Sequence, residues 1–217
     1  NQKPEKLIME DCYFYTPEKA KDKEQIIWRK STFREFPDVW HSDIRFDEAK
    51  KISEANPQQK KYIWGNVEKV EWIAPNGRMA EGLLYKPDNF DPDREYPMMV
   101  YFYRLSSDRM HRYYHPKPSR SVVNPTFYVS NGYLFFVPNI RYEIGYPGES
   151  AFNYVSSGTL SLLNSRPYID KDRIGIQGQS WGGYQVAHII TKTDMFAAAS
   201  AGAPVSNMTS AYGGIRW

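Results

Sequence analysis

A serine between glycines, at a junction between a predicted strand and a predicted helix, constrains the fold of this chain more than any other stretch. The five residues Gly178-Gln-Ser-Trp-Gly182 read G-x-S-x-G. Asp172 to Gln177, directly before them, is short and apolar at alternate positions, which predicts a strand. Gly183 to Thr191, directly after them, is apolar enough for a helix. A serine on such a tight turn has an exposed hydroxyl, and the glycines let the strand and the helix approach closely.

This location suits nucleophilic catalysis by Ser180. A serine hydroxyl is a weak nucleophile until a base and an oxyanion site act on it. At a helix N-terminus, the backbone N–H of Trp181 can point at a developing oxyanion, and the helix dipole favours negative charge. The alternative is a glycine-rich strand-to-helix turn without chemistry.

The remaining pattern predicts an α/β fold. Continuous apolar runs predict strands buried on both faces, and helical stretches alternate with them, which is typical of a parallel sheet covered by helices on both sides. The predicted strands are Tyr96–Tyr103, Tyr133–Val137, Arg173–Gln177 and Phe196–Ser200, and the predicted helices are Ala151–Asn164 and Gly183–Thr191.

The first part of the chain has a different residue pattern, without alternating helices. Residues 1–63 are predicted to form a β-rich segment, with strands at Gln25–Phe33 and His41–Phe46 and a linker at Ala55–Gln59. Residues 64–217 are predicted to form the α/β domain. It opens with a hairpin in which Asn76-Gly77 separates the extended runs Val67–Ile73 and Met79–Tyr85.

Composition excludes several functional classes. Charged residues make up 24% of the 217, both signs are mixed and the net charge is +3, so no block favours nucleic acid or a membrane surface. No apolar run reaches the ~18 residues of a membrane span. The single cysteine, Cys12, permits no internal disulfide.

His111 and His115 are four residues apart, but Pro116 argues against the helix that a metal site would need. We therefore expect no metal and no cofactor.

Several segments together resemble the catalytic domain of the prolyl oligopeptidase family, on its dipeptidyl-peptidase-IV-like and acylaminoacyl-peptidase-like side. They are Trp72–Gly77, Gly82–Pro87, Asp91–Pro97, Gly145–Gly148, Gly178–Tyr184 and Ala203–Ser206. The resemblance implies an incomplete α/β-hydrolase fold over residues 64–217, preceded by β-strands that resemble the last part of a β-propeller. It also implies hydrolysis of short peptides through an acyl-enzyme.

Carried over to this sequence, the resemblance makes Ser180 the nucleophile and the Trp181 N–H one oxyanion donor. A tyrosine hydroxyl in a Tyr-Gly-Gly-Pro context is commonly the second donor, and Tyr103 stands at that place. This chain departs from the family there, because Tyr103-Arg-Leu-Ser-Ser107 lacks the glycines and the proline. A tyrosine that merely closes a buried strand is the alternative. Trp181 and Tyr212 are the candidate substrate-binding residues.

The acid and base of a serine triad are not apparent. In this fold the triad order is Ser, then Asp or Glu, then His. The 37 residues after Ser180 contain one histidine, His188, and one acidic residue, Asp194, and the histidine comes first, which is the wrong order. Helical rise places His188 about 12 Å from Ser180, beyond the ~3 Å that a general base needs. His41 lies in the β-rich segment. His111 and His115 are expected in a solvated loop after the strand at Tyr96–Tyr103, and a place at the mouth of the site is the alternative. We therefore expect a chain that is part of a longer protein and is inactive alone. An open strand edge and an unfilled core would make it tend to associate or misfold.

The leading functional prediction is a serine exopeptidase or oligopeptidase that acts on short peptides. A carboxylesterase of the same fold and a non-catalytic binding module are the alternatives. A homo-oligomer is a further expectation, and similarity to exported bacterial relatives favours an extracytoplasmic location.

Overall fold

The computed structural model describes residues 3–117 and 123–214. The chain divides into two compact units. The β unit comprises Asn1–Ile63 and Arg109–Tyr114, and the α/β unit comprises Trp64–Asp108 and His115–Trp217.

The β unit is an antiparallel sheet built around one central strand. Its strands are β1 (Tyr13–Phe14), β2 (Glu18–Lys19), β3 (Gln25–Ser31), β4 (Asp38–Asp43) and β5 (Lys50–Lys51). β3 pairs with β1, β2 and β4, and β5 pairs with β4. Ile26 and Trp28, two alternate residues of β3, are buried, as the strand period requires. The Trp28 ring is 2% exposed and stacks on Trp40, its cross-strand partner.

The strand predicted at Gln25–Phe33 is present, but the one predicted at His41–Phe46 lies earlier in the chain. β4 begins at Asp38 and ends at Asp43, whose carboxylate accepts hydrogen bonds from the N–H groups of Arg45 and Asp47. This turn ends the strand before Phe46, which has a φ of 66°. The stretch predicted as a linker, Ala55–Gln59, overlaps a 3-10 helix, Pro57–Lys61.

The α/β unit holds a six-stranded sheet in the order β11-β10-β8-β9-β7-β6. Its strands are β6 (Gly65–Ile73), β7 (Met79–Pro87), β8 (Tyr96–Tyr101), β9 (Leu134–Pro138), β10 (Ile169–Gln179) and β11 (Ala198–Gly202). Its helices are α1 (Pro125–Ser130), α2 (Pro147–Ser165), α3 (Trp181–Ile189) and α4 (Met208–Gly213).

The predicted parallel sheet covers four of these strands. β9, β8, β10 and β11 run parallel to one another, whereas β7 joins β9 in the antiparallel sense. The predicted hairpin is confirmed: β6 and β7 pair in register from Ile73 opposite Met79, and Gly77 takes a φ of 76° in the turn. The structure also contains α1 and α4, which the sequence pattern did not indicate.

Helices cover both faces of this sheet. Successive side chains of a strand point to opposite faces, so neighbouring residues of β9 pack against different helices or strands. Phe135 of β9 packs against Tyr128 of α1. Its neighbour Phe136 packs on the other face against Trp72, whose indole N–H donates to Ser157 of α2 at 2.9 Å. Both phenylalanines are at most 1% exposed. The sheet therefore has packed side chains on both faces. Because β9, β8, β10 and β11 are parallel, their carboxyl ends lie at the same end of the sheet.

Among the described residues, no helix combines the length and the apolar character needed to traverse a lipid bilayer.

Candidate active site

Ser180 occupies the turn between β10 and α3. Its backbone angles are φ 59° and ψ −114°, a region that residues other than glycine rarely adopt. Its N–H donates to Gly202 O on β11 at 2.9 Å, and its carbonyl accepts the first hydrogen bond of α3, from Tyr184 N at 3.1 Å. The predicted strand, turn and helix are therefore present around the serine.

The two glycines of the motif are required by close backbone approach. A Cβ added at Gly178 would lie 2.3 Å from the carbonyl oxygen of Gly182. A Cβ at Gly182 would lie 2.8 Å from the carbonyl oxygen of Phe102, just after β8. Backbone atoms cannot move aside as a flexible side chain can. The turn at Ser180, called the elbow below, therefore packs closely against both α3 and the end of β8.

The first turn of α3 offers hydrogen-bond donors beside the serine. Because the first intrahelical bond starts at Tyr184 N, the N–H groups of Trp181, Gly182 and Gly183 have no acceptor within the helix. The Ser180 side chain does not cap the helix, and the residue is half-buried. A hydroxyl and the Trp181 N–H therefore stand together at a positive helix end.

Tyr103 lies next to this turn. It directly follows Phe102, beyond β8, which is the parallel neighbour of β10, so the carboxyl ends of the two strands meet at one edge. Its ring atom Cδ2 is 3.8 Å from the point where a Gly182 Cβ would stand, and its side chain is 45% exposed. The structure thus brings together three of the predicted site residues, Ser180, Trp181 and Tyr103.

The loop after Tyr103 is held by a residue that sequence reasoning missed. Asn139 is buried, and its Oδ1 accepts hydrogen bonds from Ser106 N at 2.6 Å and Ser107 N at 3.2 Å. Its Nδ2 donates to Glu81 Oε1 at 3.1 Å. The Ser107 hydroxyl also donates to Glu81 and lowers the pKa of that carboxyl below its ordinary value.

Tyr142 is a second residue that the sequence did not single out. Its hydroxyl donates to the carbonyl of Tyr103 at 2.7 Å and accepts a hydrogen bond from Gln185 Nε2 on α3. Burial raises the pKa of Tyr142, and hydrogen bonds with the Gln185 and Trp181 side chains offset part of that rise. The phenol therefore stays protonated, and remains a donor, at neutral pH.

Other candidates lie elsewhere. Tyr212 is on α4, and its side chain is 97% exposed. His188 is half-buried on α3 against Gly148, with its Nε2 3.5 Å from Glu149 Oε1. Asp194 is exposed in the loop after α3.

The two loop histidines fall in different units. His111 belongs to the β unit, where its carbonyl accepts a hydrogen bond from the Ser31 hydroxyl at 3.4 Å. His115 belongs to the α/β unit and is exposed. Residues 3–117 and 123–214 contain no cluster of three or more His, Cys, Asp or Glu side chains that could hold a metal ion.

The sequence profile of the prolyl oligopeptidase family matches residues 118–215. This range contains the elbow, α2 and α3. The family resemblance seen in the sequence is therefore confirmed by an independent comparison.

Individual relatives agree with that match. The mouse (Mus musculus) protein dipeptidyl peptidase 8 is 30% identical over 150 residues, which cover 58% of this chain and 15% of that protein. The uncharacterized peptidase YuxL of Bacillus subtilis (strain 168) is 26% identical over 157 residues, covering 67% of this chain and 23% of that protein. The chain thus spans less than a quarter of the length of these curated relatives.

A solved structure of the acylaminoacyl peptidase of Pyrococcus horikoshii superposes on 96% of this chain with a TM-score of 0.72 and 17% sequence identity, and 34% of that protein is covered. At this identity the likeness shows the fold. The chain has the fold of part of an α/β hydrolase, preceded by β-strands.

Proposed function

We propose, for this chain of the prolyl oligopeptidase family, that Ser180 is the nucleophile of a serine peptidase that hydrolyses short peptides through an acyl-enzyme. The observation that carries the proposal is the backbone of Ser180, with φ 59° and ψ −114°, between β10 and α3. Backbone strain of this kind persists where the surroundings over-determine it, and it is concentrated at functional sites. We assign residues 1–63 to the end of a β-propeller and residues 64–217 to the catalytic domain.

In the first step, Ser180 Oγ attacks the carbonyl carbon of the scissile peptide bond while a general base takes the hydroxyl proton. The carbonyl oxygen becomes an oxyanion, which the Trp181 N–H and the Tyr103 hydroxyl stabilise. Collapse of this intermediate expels the amine, which takes up the proton, and leaves an ester on Ser180. Water then hydrolyses the ester by the same sequence.

The general base is a histidine from elsewhere in the protein. His188 stands two turns along α3 from Ser180, about 12 Å away by helical rise, and packs against Gly148 of α2. We assign Trp181 and Tyr212 to contacts with the substrate. The high exposure of Tyr212 leaves its ring available to a ligand.

The test is active-site labelling of the full-length protein that contains this chain. A fluorophosphonate probe is expected to modify Ser180, as identified by peptide mass spectrometry, and Ser180→Ala is expected to abolish labelling and peptidase activity. Ser206→Ala is the matched control, because Ser206 is an exposed serine in the loop after β11. Its labelling and turnover are expected to equal those of the wild type.

The same protein separates the remaining alternatives. Chromogenic X-Pro, X-Ala and acyl-aminoacyl amides are expected to be cleaved, with kcat/KM above that for simple carboxylic esters. Cleavage of esters alone would identify an esterase. A folded protein in which Ser180 is not labelled would contradict the proposal and favour a binding module.

A further inference from the structure

The segment after Tyr103 lacks the residues that would shape a tight turn by themselves. It reads Arg104-Leu-Ser-Ser107, without glycine or proline, and the Arg104 and Leu105 side chains are exposed. Its backbone is held instead by hydrogen bonds from the stretch that follows β9. Ile140 N donates to Arg104 O at 2.9 Å, and Asn139 accepts from the two serine N–H groups.

The carbonyl of Tyr103 itself is held by Tyr142. The two residues are 39 positions apart in the chain, and the Tyr142 hydroxyl reaches the Tyr103 carbonyl at 2.7 Å. This contact lies on the backbone of the residue whose side chain we assign to the oxyanion. It therefore fixes the position of the Tyr103 backbone, from which the direction of the side chain follows.

The same Tyr142 hydroxyl is bound to the elbow helix. Gln185 is fully buried on α3, five positions after Ser180, and its Nε2 donates to Tyr142 Oη. The other amide atom of Gln185, Oε1, has no hydrogen-bond partner in the described part of the chain. The contact with Tyr142 is thus the polar contact that orients this side chain.

We propose that Tyr142 is a positioning residue whose hydroxyl ties the Tyr103 backbone to the elbow helix and thereby sets the two oxyanion donors relative to each other. One donor, the Trp181 N–H, belongs to α3, and the other, the Tyr103 hydroxyl, belongs to the loop after β8. Tyr142 links these two elements through a single oxygen atom. The inference rests on the proposed function, because it concerns the geometry of that oxyanion site.

Tyr142 is expected to act on the transition state. Oxyanion donors act only when they are pre-organised at the position of the developing charge. A misplacement of about 1 Å caused by a change outside the reacting groups can lower the rate by about 100-fold. Tyr142 does not touch the reacting atoms, so its loss should reduce kcat through Tyr103 and leave the binding of substrate in the ground state nearly unchanged.

The test is a double-mutant cycle in the full-length protein, with kcat and KM measured on the best amide substrate. Tyr142→Phe is expected to lower kcat by roughly 10- to 100-fold with KM within about twofold of the wild type. Tyr103→Phe is expected to lower kcat at least as much. The double variant is expected to match Tyr103→Phe alone, because Tyr142 acts through Tyr103.

Tyr146→Phe is the matched control, because Tyr146 is an exposed tyrosine four positions along the chain. It is expected to retain wild-type kcat and KM. If Tyr142→Phe does not fold, Gln185→Met removes the helix-side donor at similar volume and is expected to give the same non-additive loss with Tyr103→Phe.

Wild-type kcat in Tyr142→Phe, or losses that multiply in the double variant, would overturn the inference while leaving the proposed function intact. A change confined to KM would also overturn it, since that indicates a packing role at the substrate site. Failure of the wild-type protein to label at Ser180 would instead overturn the proposed function, and this inference with it.

Discussion

At the scale of single residues, Ser180 is held in a conformation that its own side chain disfavours. A non-glycine residue at such angles costs about 1–3 kcal/mol, which the surroundings must supply. Here the supports are the bond from Ser180 N to Gly202 O and the close packing around Gly178 and Gly183. A Cβ at Gly183 would lie 2.5 Å from Gly202 O. The backbone of β11 is therefore as close to α3 as the backbone atoms that Gly178 and Gly182 approach.

The first prediction concerns Gly178. In Gly178→Ala the new Cβ would meet the Gly182 carbonyl at 2.3 Å, and the turn must open to accept it. We expect a loss of stability of about 1–3 kcal/mol and a fluorophosphonate labelling rate reduced at least ~10-fold.

Labelling kinetics and thermal unfolding of the full-length protein measure both effects. Gly213→Ala is the control, because a Cβ there meets nothing within 4 Å. Wild-type labelling and melting in Gly178→Ala would show that the elbow does not depend on this close approach.

Also at this scale, the sequence predicted Ser180, Trp181 and Tyr103 but missed Asn139, Tyr142 and Gln185. The motif around Ser180 is local in sequence, and Gly178 is explained by its close approach to Gly182, four positions away, although the close approach at Gly182 is to Phe102. The missed residues carry no local motif. The signal that could have found the first two is their position one and four residues after the end of β9, since side chains that follow parallel strands gather at the same end of a sheet.

At the scale of elements, one carboxylate of β4 binds both β5 and the segment that follows it. Asp38, 6% exposed, forms an ion pair with Lys51 at 2.7 Å and accepts from the Ser53 hydroxyl and from Ala55 N. Burial alone would raise the pKa of the Asp38 carboxyl. The hydrogen bonds from Lys51, Ser53 and Ala55 outweigh it and hold the pKa below its ordinary value.

Asp38→Asn is therefore expected to destabilise the β unit by about 1–3 kcal/mol at neutral pH. Because the folded pKa is depressed, the carboxylate stabilises the protein fully above its unfolded pKa of about 3.9. This stabilisation is lost as the pH falls through the lower folded value.

Thermal unfolding from pH 7 to pH 2.5 should show the wild type and Asp38→Asn converging only in the acidic range. The exposed Asp47→Asn is the control and should follow the wild type throughout. A constant difference at every pH would rule out the carboxylate as the source of the effect.

At the scale of the whole molecule, the β unit is assembled from two separate stretches of chain. Residues 109–114 lie between β8 and α1 in sequence, yet they belong to the β unit. Tyr113 is 4% exposed, packs edge-on against Phe36, accepts a hydrogen bond from Asn56 and donates to Gln59 at 2.8 Å. Burial raises the pKa of Tyr113 to about 12, although the bond from Asn56 opposes it.

The third stability prediction follows from this phenol. Below pH 10 both folded and unfolded forms keep its proton, so its contribution is fully present. Between about pH 10 and pH 12 only the folded form keeps the proton, so stability falls with rising pH by at most about 1.4 kcal/mol per pH unit.

Tyr113→Phe is expected to melt lower at pH 8 and to lose less stability than the wild type between pH 9.5 and pH 11.5. Tyr62→Phe, at a 68% exposed tyrosine, is the control and should keep the wild-type slope. Equal slopes for wild type and Tyr113→Phe would contradict the raised pKa.

The outer strand of the α/β sheet is also a feature of the whole molecule. Within the described residues β11 pairs only with β10, and four of its five residues are exposed. Unpaired strand edges accept further strands, so this edge is one place where the sheet can be extended.

The sequence by itself determined the elements whose causes are local. Apolar runs and the Asn76-Gly77 turn depend on periodicity and local backbone geometry, and Gly178 of the G-x-S-x-G motif is required by a contact four residues away, so strands, hairpin and elbow could be predicted. The tertiary structure alone decided that β7 joins β9 in the antiparallel sense. It also decided that Tyr103, Tyr142 and Gln185 meet. These contacts join residues about 40 positions apart in sequence, so they depend on strand order and on packing between elements, which no local pattern encodes.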